Sequence, residues 1–180
     1  MNIMSRINIV LYHPEIPLNT ANIMRTCVGT DTTLHLIKPL GFDLDKSEKV
    51  FNRGSSNYAH LVEMRVYENW EEFVTKHPTT DSYCFITRYG LDIYPNINAA
   101  QLIANNQQMY LIFGAESCGI DKEILDQYKD QTYRLPTSAN VRSLNLGNCV
   151  MTVLYEMLRQ VNFEDLEFKE PHKIDYLKED

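Results

Sequence analysis

Short runs of consecutive apolar residues alternate along this chain with stretches whose apolar positions recur three or four apart. Residues 7–12, 33–37, 62–67, 82–87, 109–113 and 132–135 are mostly of the first kind, rich in Ile, Val, Leu, Phe and Tyr. Runs of that length without polar alternation suit strands covered on both faces. Strands that alternate with helices are joined by right-handed crossovers and lie side by side in a largely parallel sheet. The pattern therefore predicts one α/β domain with helices on both sides of its sheet.

The helical stretches carry their own boundary signals. Residues 20–30 read as a helix that follows Pro17, and Asn69 caps WEEFVTK with Glu72 at the capping-box position. Asp121 is placed to cap KEILDQY. The longest helix is expected over 146–161, where Leu146, Cys149, Val150, Val153, Leu154, Met157, Leu158 and Val161 form one apolar stripe. Its other side holds Asn148, Met151, Tyr155 and Arg159, too mixed for a face turned only to water.

Length and composition fit this picture. A chain of 180 residues makes one domain, and near that size folding buries roughly 70% of the surface of the unfolded chain. With 44% hydrophobic and 23% charged residues, neither disorder nor a disulfide scaffold is indicated. No apolar run approaches the roughly 20 residues of a membrane span. The start MNIMSRINIVLY lacks a signal-peptide pattern, so a cytoplasmic protein is expected. Cys27, Cys84, Cys118 and Cys149 never form a C-x-x-C pair, which argues against zinc or a redox dithiol and for buried free thiols. With five scattered histidines and no H-x-x-x-H, a catalytic metal is not expected.

Net charge is −7, at first sight wrong for a nucleic-acid partner. Residues 163–180 carry seven acids and three bases, however, so residues 1–162 hold 17 acids against 14 bases, and a local basic site fits on such a body. The chain accordingly divides into a domain over 1–162 and an acidic C-terminal tail over 163–180.

Several common chemistries lack their signatures. No G-x-G-x-x-G follows the first strand and no G-K-[ST] loop exists, which removes support for hydride transfer and nucleotide hydrolysis. His13-Pro14-Glu15 matches half of a zinc deaminase signature whose P-C-x-x-C half is missing. Three polar loops remain, at 13–25, 113–120 and 135–148, each leading from a strand end into a helix. In parallel sheets such loops gather ligands, because helix N-termini and free backbone groups converge there.

Read in order, YHPEIPLNTANIMR, FGAESCGI and LPTSANVRSLNLGN resemble the SPOUT methyltransferases, and most closely the small tRNA 2'-O-methyltransferases that modify the wobble nucleotide. The likeness covers about residues 7–160 in one register. It implies a deep C-terminal trefoil knot, S-adenosylmethionine held in the knot, a homodimer, and the anticodon arm of tRNA as partner. Carried onto this sequence, the cofactor loops fall at Ile86, Gly114, Leu135, Ser143 and Leu144, with aliphatic side chains around the adenine and Gly114 letting backbone approach the nucleoside. Asn19, Asn22 and Arg25 lie beside the substrate, and Glu116, Ser143 and Asn145 order the site. Arg25 is the leading catalytic residue. Because arginine stays protonated, we read it as a clamp for a phosphate or a developing alkoxide, the proton leaving to phosphate or water.

Arg53, Tyr58, Arg142 and Tyr155 are expected to touch the RNA, guanidinium to phosphate and ring to unstacked base; Tyr155 suits dimer packing nearly as well. The chain departs from the family where SSN precedes Tyr58 in place of alanine-glycine-leucine-aspartate, where RYG at 88–90 replaces threonine-lysine-glycine, and where Cys118 replaces an arginine. These changes bear on substrate choice more than on the cofactor. Alternatives are a methyltransferase acting on ribosomal RNA or another tRNA position, or a non-catalytic RNA-binding module of the same fold.

Overall fold

The computed structural model describes residues 6–164 and 166–169. Seven strands form one sheet: β1 (Ile7–Tyr12), β2 (Thr33–Ile37), β3 (Met64–Tyr67), β4 (Tyr83–Ile86), β5 (Asp92–Ile93), β6 (Met109–Phe113) and β7 (Thr132–Arg134). Their order is β3-β2-β1-β6-β4-β7-β5, and every pairing is parallel. β1 and β6 are the central pair, with Ile9 facing Leu34 on one side and Leu111 on the other. All six residues of β1 and all five of β2 and β6 are buried, as uninterrupted apolar runs require.

Two cores cover the two faces. One is aliphatic, joining Ile9, Leu11, Leu34, Leu111 and Phe113 to α1 (Pro17–Gly29) and α6 (Leu146–Gln160). The other is aromatic, with Tyr12, Tyr67, Tyr83, Phe85 and Tyr110 of the sheet packed against Trp70 and Phe73 of α3 (Trp70–Lys76). Within the aromatic layer His35 Nδ1 lies 2.8 Å from the Tyr67 hydroxyl and His77 Nε2 2.9 Å from it. Burial holds His35 down at about 3 and His77 at about 4, so both imidazoles are neutral at physiological pH.

The stripe of α6 behaves as its spacing predicts: Val150, Val153, Leu154, Met157 and Leu158 are buried, and Met151 and Tyr155 face out. Helix α1 begins at Pro17, earlier than residue 20, because the ring presets φ at the first helical position. Asn69 caps α3 by accepting the Glu72 amide at 2.8 Å, while Glu72 returns its carboxylate to the Glu68 amide. Asp121 precedes α5 (Lys122–Gln127) without capping it: its carboxylate accepts the Tyr12 hydroxyl at 2.6 Å. The elements absent from the sequence reading are β5, α2 (Glu48–Gly54) and α4 (Ala99–Asn106).

After β4 the backbone turns at Thr87 and crosses β7. The Thr87 amide donates to the Tyr133 carbonyl at 2.9 Å and the Leu91 amide to Thr132 Oγ1 at 3.1 Å. A Cβ on Gly90 would stand 2.2 Å from the Tyr133 carbonyl carbon, so only glycine permits this crossing. Beyond α6, Phe163 and Leu166 pack against the aliphatic core and Arg6 pairs with Glu164. Most of the acidic tail, at 170–180, lies outside the described residues.

Candidate active site

The chain leaves β1 toward β2 on one side, whereas β6 leads to β7 on the other, so the carboxyl ends of β1 and β6 flank a topological switch point, where α/β sheets bind ligands. The two loops starting there are stitched together. The Glu116 carboxylate, in the loop after β6, accepts the Glu15 amide at 2.9 Å, the Ile16 amide at 3.3 Å and Asn19 Nδ2 at 2.9 Å. Reciprocally, the Glu15 carboxylate accepts the Ser117 amide at 2.8 Å and its hydroxyl at 2.6 Å, which lowers the Glu15 pKa.

Asn19 extends the network to the third loop. Its Oδ1 accepts Asn145 Nδ2 at 3.0 Å, and Asn145 Oδ1 caps α6 by accepting the Asn148 amide at 3.3 Å. Asn19 is buried and offers both ends of its amide, so a single side chain couples the start of α1 to Glu116 and to the N-terminus of α6. With three donors on it, Glu116 ties the loop after β6 to the loop after β1 and the start of α1.

Beside this network lies a cavity of about 300 Å³, at the small end of the range for ligand pockets, about 300–1,000 Å³. Its wall includes Ile86, Gly114, Leu135, Ser143 and Leu144, all five expected cofactor positions, together with Asn19, Glu116, Asn145 and Arg142. Phe113, Ile120 and Cys149 add apolar surface, and burial raises the Cys149 thiol pKa. Gly114 has a local reason to be glycine: a Cβ there would meet the Gly119 carbonyl carbon at 2.3 Å, because the loop doubles back through the paired Ala115 and Gly119. The chain's own return is therefore enough to require glycine at this point of the cavity lining. Among the described residues no cluster of three or more His, Cys, Asp or Glu could hold a metal ion, and no helix is long and apolar enough to cross a membrane.

The other expected site residues lie off the cavity wall. Arg25 is on the exposed side of α1, where a guanidinium N–H donates to Ser56 Oγ at 2.7 Å. Asn22 is exposed one turn earlier, beside Gly147 of α6. Arg53 is at the exposed end of α2, and Tyr58 follows Ser56 and Asn57, both with positive φ. Helices α1 and α2 touch at Gly54, where a Cβ would meet the Ala21 methyl at 2.5 Å, so Arg25, Arg53 and Tyr58 ride on one packed unit. Tyr155 is 41% exposed on α6 next to Met151. The Glu15–Ser117 pairing is a contact the sequence reading did not anticipate; both residues sit inside the quoted motifs, but nothing in their spacing pairs them.

The sequence profile described as the SpoU rRNA Methylase family matches residues 6–155. The chain belongs to the SpoU methylase family. Relatives include a Listeria monocytogenes protein named as a tRNA (cytidine(34)-2'-O)-methyltransferase, 40% identical over 92% of this chain and 94% of that one. A Bacillus subtilis protein of the same name is 38% identical over 93% of this chain and all of its own. Among solved structures, an RNA methyltransferase of Bacillus anthracis superposes with a TM-score of 0.80 at 35% identity, covering 91% of this chain and 99% of that one. A second, from work on 2'-hydroxyl methylation of C/U34 on tRNA, has a TM-score of 0.73 at 31% identity over 87% and 96%. The SpoU methylase fold is thus matched across nearly the whole chain, including the three loops around the cavity.

Proposed function

We propose that this chain transfers a methyl group from S-adenosylmethionine to the ribose 2'-hydroxyl of the wobble nucleotide of tRNA, a cytidine or a modified uridine. The observation that carries this reading is the convergence of three loops on one cavity through Asn19, in a chain whose relatives are named for that reaction. The cavity fits the cofactor: Ile86, Leu135 and Leu144 give flat apolar walls, and Gly114, Ser143 and the capped start of α6 give polar backbone. When bound, the cofactor supplies an electrophilic methyl on a sulfonium.

The chain's own residues do the rest. Glu116, Asn19 and Asn145 hold the loops in place, Ser143 orders the site from the cavity lining, and Arg25 with Asn22 meets the nucleotide as it enters. Arg25 clamps a phosphate or the alkoxide that develops as the proton leaves, and positioning of this kind lowers a barrier by several kcal/mol. Arg53, Tyr58 and Arg142 contact the anticodon arm. We also infer a homodimer through the outward side of α6, where Met151 and Tyr155 are exposed, and we place the crossing of 87–93 over β7 in the trefoil knot expected of the fold. Sedimentation near twice the 21.0 kDa chain mass supports the dimer; a monomer that still methylates tRNA overturns it.

The family description names ribosomal RNA, and a ribosomal substrate is the second reading. Nucleoside mass spectrometry on RNA from cells with and without the protein separates them. Loss of a 2'-O-methylated nucleoside at the wobble position supports the proposal. Unchanged tRNA with a methyl missing from ribosomal RNA overturns it.

A further inference from the structure

The cavity lining also includes Arg88, Tyr89, Arg134 and Arg142. Among the described residues none of these three arginines is in an ion pair, whereas seven other cations are. The only carboxylate on the wall is Glu116, which is already occupied by three N–H donors. A chain with net charge −7 thus places three arginines outside any ion pair in the lining of one cavity.

Tyr89 shares the lining of that cavity with the three arginines. It is 62% exposed, an unusual setting for so large a ring, and the Arg88 guanidinium lies 4.6 Å from its centroid and donates to its hydroxyl. The backbone beneath it is fixed. The Gly90 amide donates to the Thr87 carbonyl at 3.1 Å, the Tyr89 amide lies 3.3 Å from Thr87 Oγ1, and Gly90 is pressed onto Tyr133 and Arg134. A rigid exposed ring backed by a guanidinium is what a single-stranded base stacks on, and stacking of this kind is sequence-tolerant because every base has a π-face.

The charge chooses between two possible occupants. The cofactor carries a sulfonium and an ammonium against one carboxylate, so it can pair with at most one of the three guanidiniums and leaves the others without a partner. A polyanion gains from all three. We propose that Tyr89, backed by Arg88, is a stacking platform for an RNA base adjoining the methylated nucleotide, and that Arg134 and Arg142 hold the phosphates on either side. The proposal rests on the RNA-methylating reading above and adds Arg88, Tyr89 and Arg134 to its substrate contacts. Tyr89 is in this view a positioning residue for the substrate, and it takes no part in the chemistry.

The test uses the full chain, a fluorescein-labelled unmodified tRNA transcript, and S-adenosylhomocysteine. Anisotropy gives RNA affinity and calorimetry gives nucleoside affinity for Tyr89→Ala, Tyr89→Phe and Arg134→Ala. Losing one stacked base weakens RNA binding by about tenfold, so Tyr89→Ala is expected to lose about that much with nucleoside affinity unchanged, and Tyr89→Phe to recover most of it. Arg134→Ala is expected to reduce the slope of log affinity against log salt by about 0.7, the loss of one single-strand phosphate contact. A fall in nucleoside affinity with RNA affinity intact makes Tyr89 a cover for the cofactor and overturns the proposal, as does no change in either. If the wild type binds the transcript without methylating it while Tyr89→Ala still loses RNA affinity, the wobble-methylation reading fails and the platform stands.

Discussion

Substituting Glu116 separates a structural clasp from a catalytic base. Its carboxylate accepts two N–H groups at 2.9 Å and a third at 3.3 Å. Hydrogen bonds to a charged acceptor contribute about 1.5–3 kcal/mol each. Partial exposure favours the low end, so the two short bonds together are worth about 3 kcal/mol. For a domain of this size each kcal/mol moves the melting temperature by about 2–4 °C. Glu116→Ala is therefore expected to melt about 6–12 °C lower and to lose nucleoside binding, because the first and second loops separate. Glu116→Gln keeps the shape but points an NH2 group at either the Glu15 amide or the Asn19 amide, two donors facing each other. It is expected to fall about 4–8 °C, from a loss of about 2 kcal/mol. Thermal melts and calorimetry on the same preparations give both quantities. A base would behave oppositely: Glu116→Gln with an unshifted melt, intact nucleoside binding and abolished turnover would refute the clasp.

Three further outcomes follow from other parts of the molecule. Arg25→Ala is expected to leave melting and nucleoside affinity unchanged and to lower single-turnover methyl transfer by about a hundredfold or more, the scale for losing a preorganised charge donor; near-normal transfer removes Arg25 from the site. Gly90→Ala places a methyl 2.2 Å from a backbone carbon that cannot yield, so it should be recovered unfolded or with a melt depressed by more than that of Glu116→Ala, and a native melt would refute the crossing. His35 is held neutral by burial, its pKa depressed to about 3. A depressed folded value means that the unfolded chain binds the proton first, so this contribution is complete above about pH 6.5 and is lost on acidification toward the folded value. Between pH 6.5 and 5 the His35 contribution alone falls by about 2 kcal/mol; the contribution of His77, held at about 4, falls in the same window, so in chemical denaturation His35→Gln should make the slope shallower without abolishing it.

The strands most legible in the sequence are β1, β2, β4 and β6, buried on both faces, since an uninterrupted apolar run has few other uses. β5 escaped because it is two exposed residues, Asp92 and Ile93, made a strand only by pairing with β7 some forty positions later. α2 and α4 span seven and eight residues, too short for a periodic signal to stand out. Asp121 misled because a residue that suits a helix cap also suits a buried phenol, and Tyr12 is distant in sequence. Around the cavity, the loop motifs placed Ile86, Gly114, Leu135, Ser143 and Leu144 on one wall, but a motif carries no direction. It gave no sign that Arg25 turns toward Ser56, or that Asn19 reaches both Glu116 and Asn145.

The crossing at Gly90 also sets a timetable for assembly. The Leu91 amide finds its acceptor on Thr132, 41 positions later, and at about 5–20 residues per second of synthesis that partner emerges roughly 2–8 s afterwards. During that interval residues 87–93 have nothing to lie upon, while β1, β2 and β3 can already pair. The half of the sheet that forms early thus holds no part of the cavity beyond the loop after β1. The half that encloses it must wait for β7, so the binding site is the last region of a nascent chain to take shape. Non-local closure of this kind is slow, and a truncated or stalled product ending before residue 132 would carry most of the hydrophobic core and none of the finished pocket.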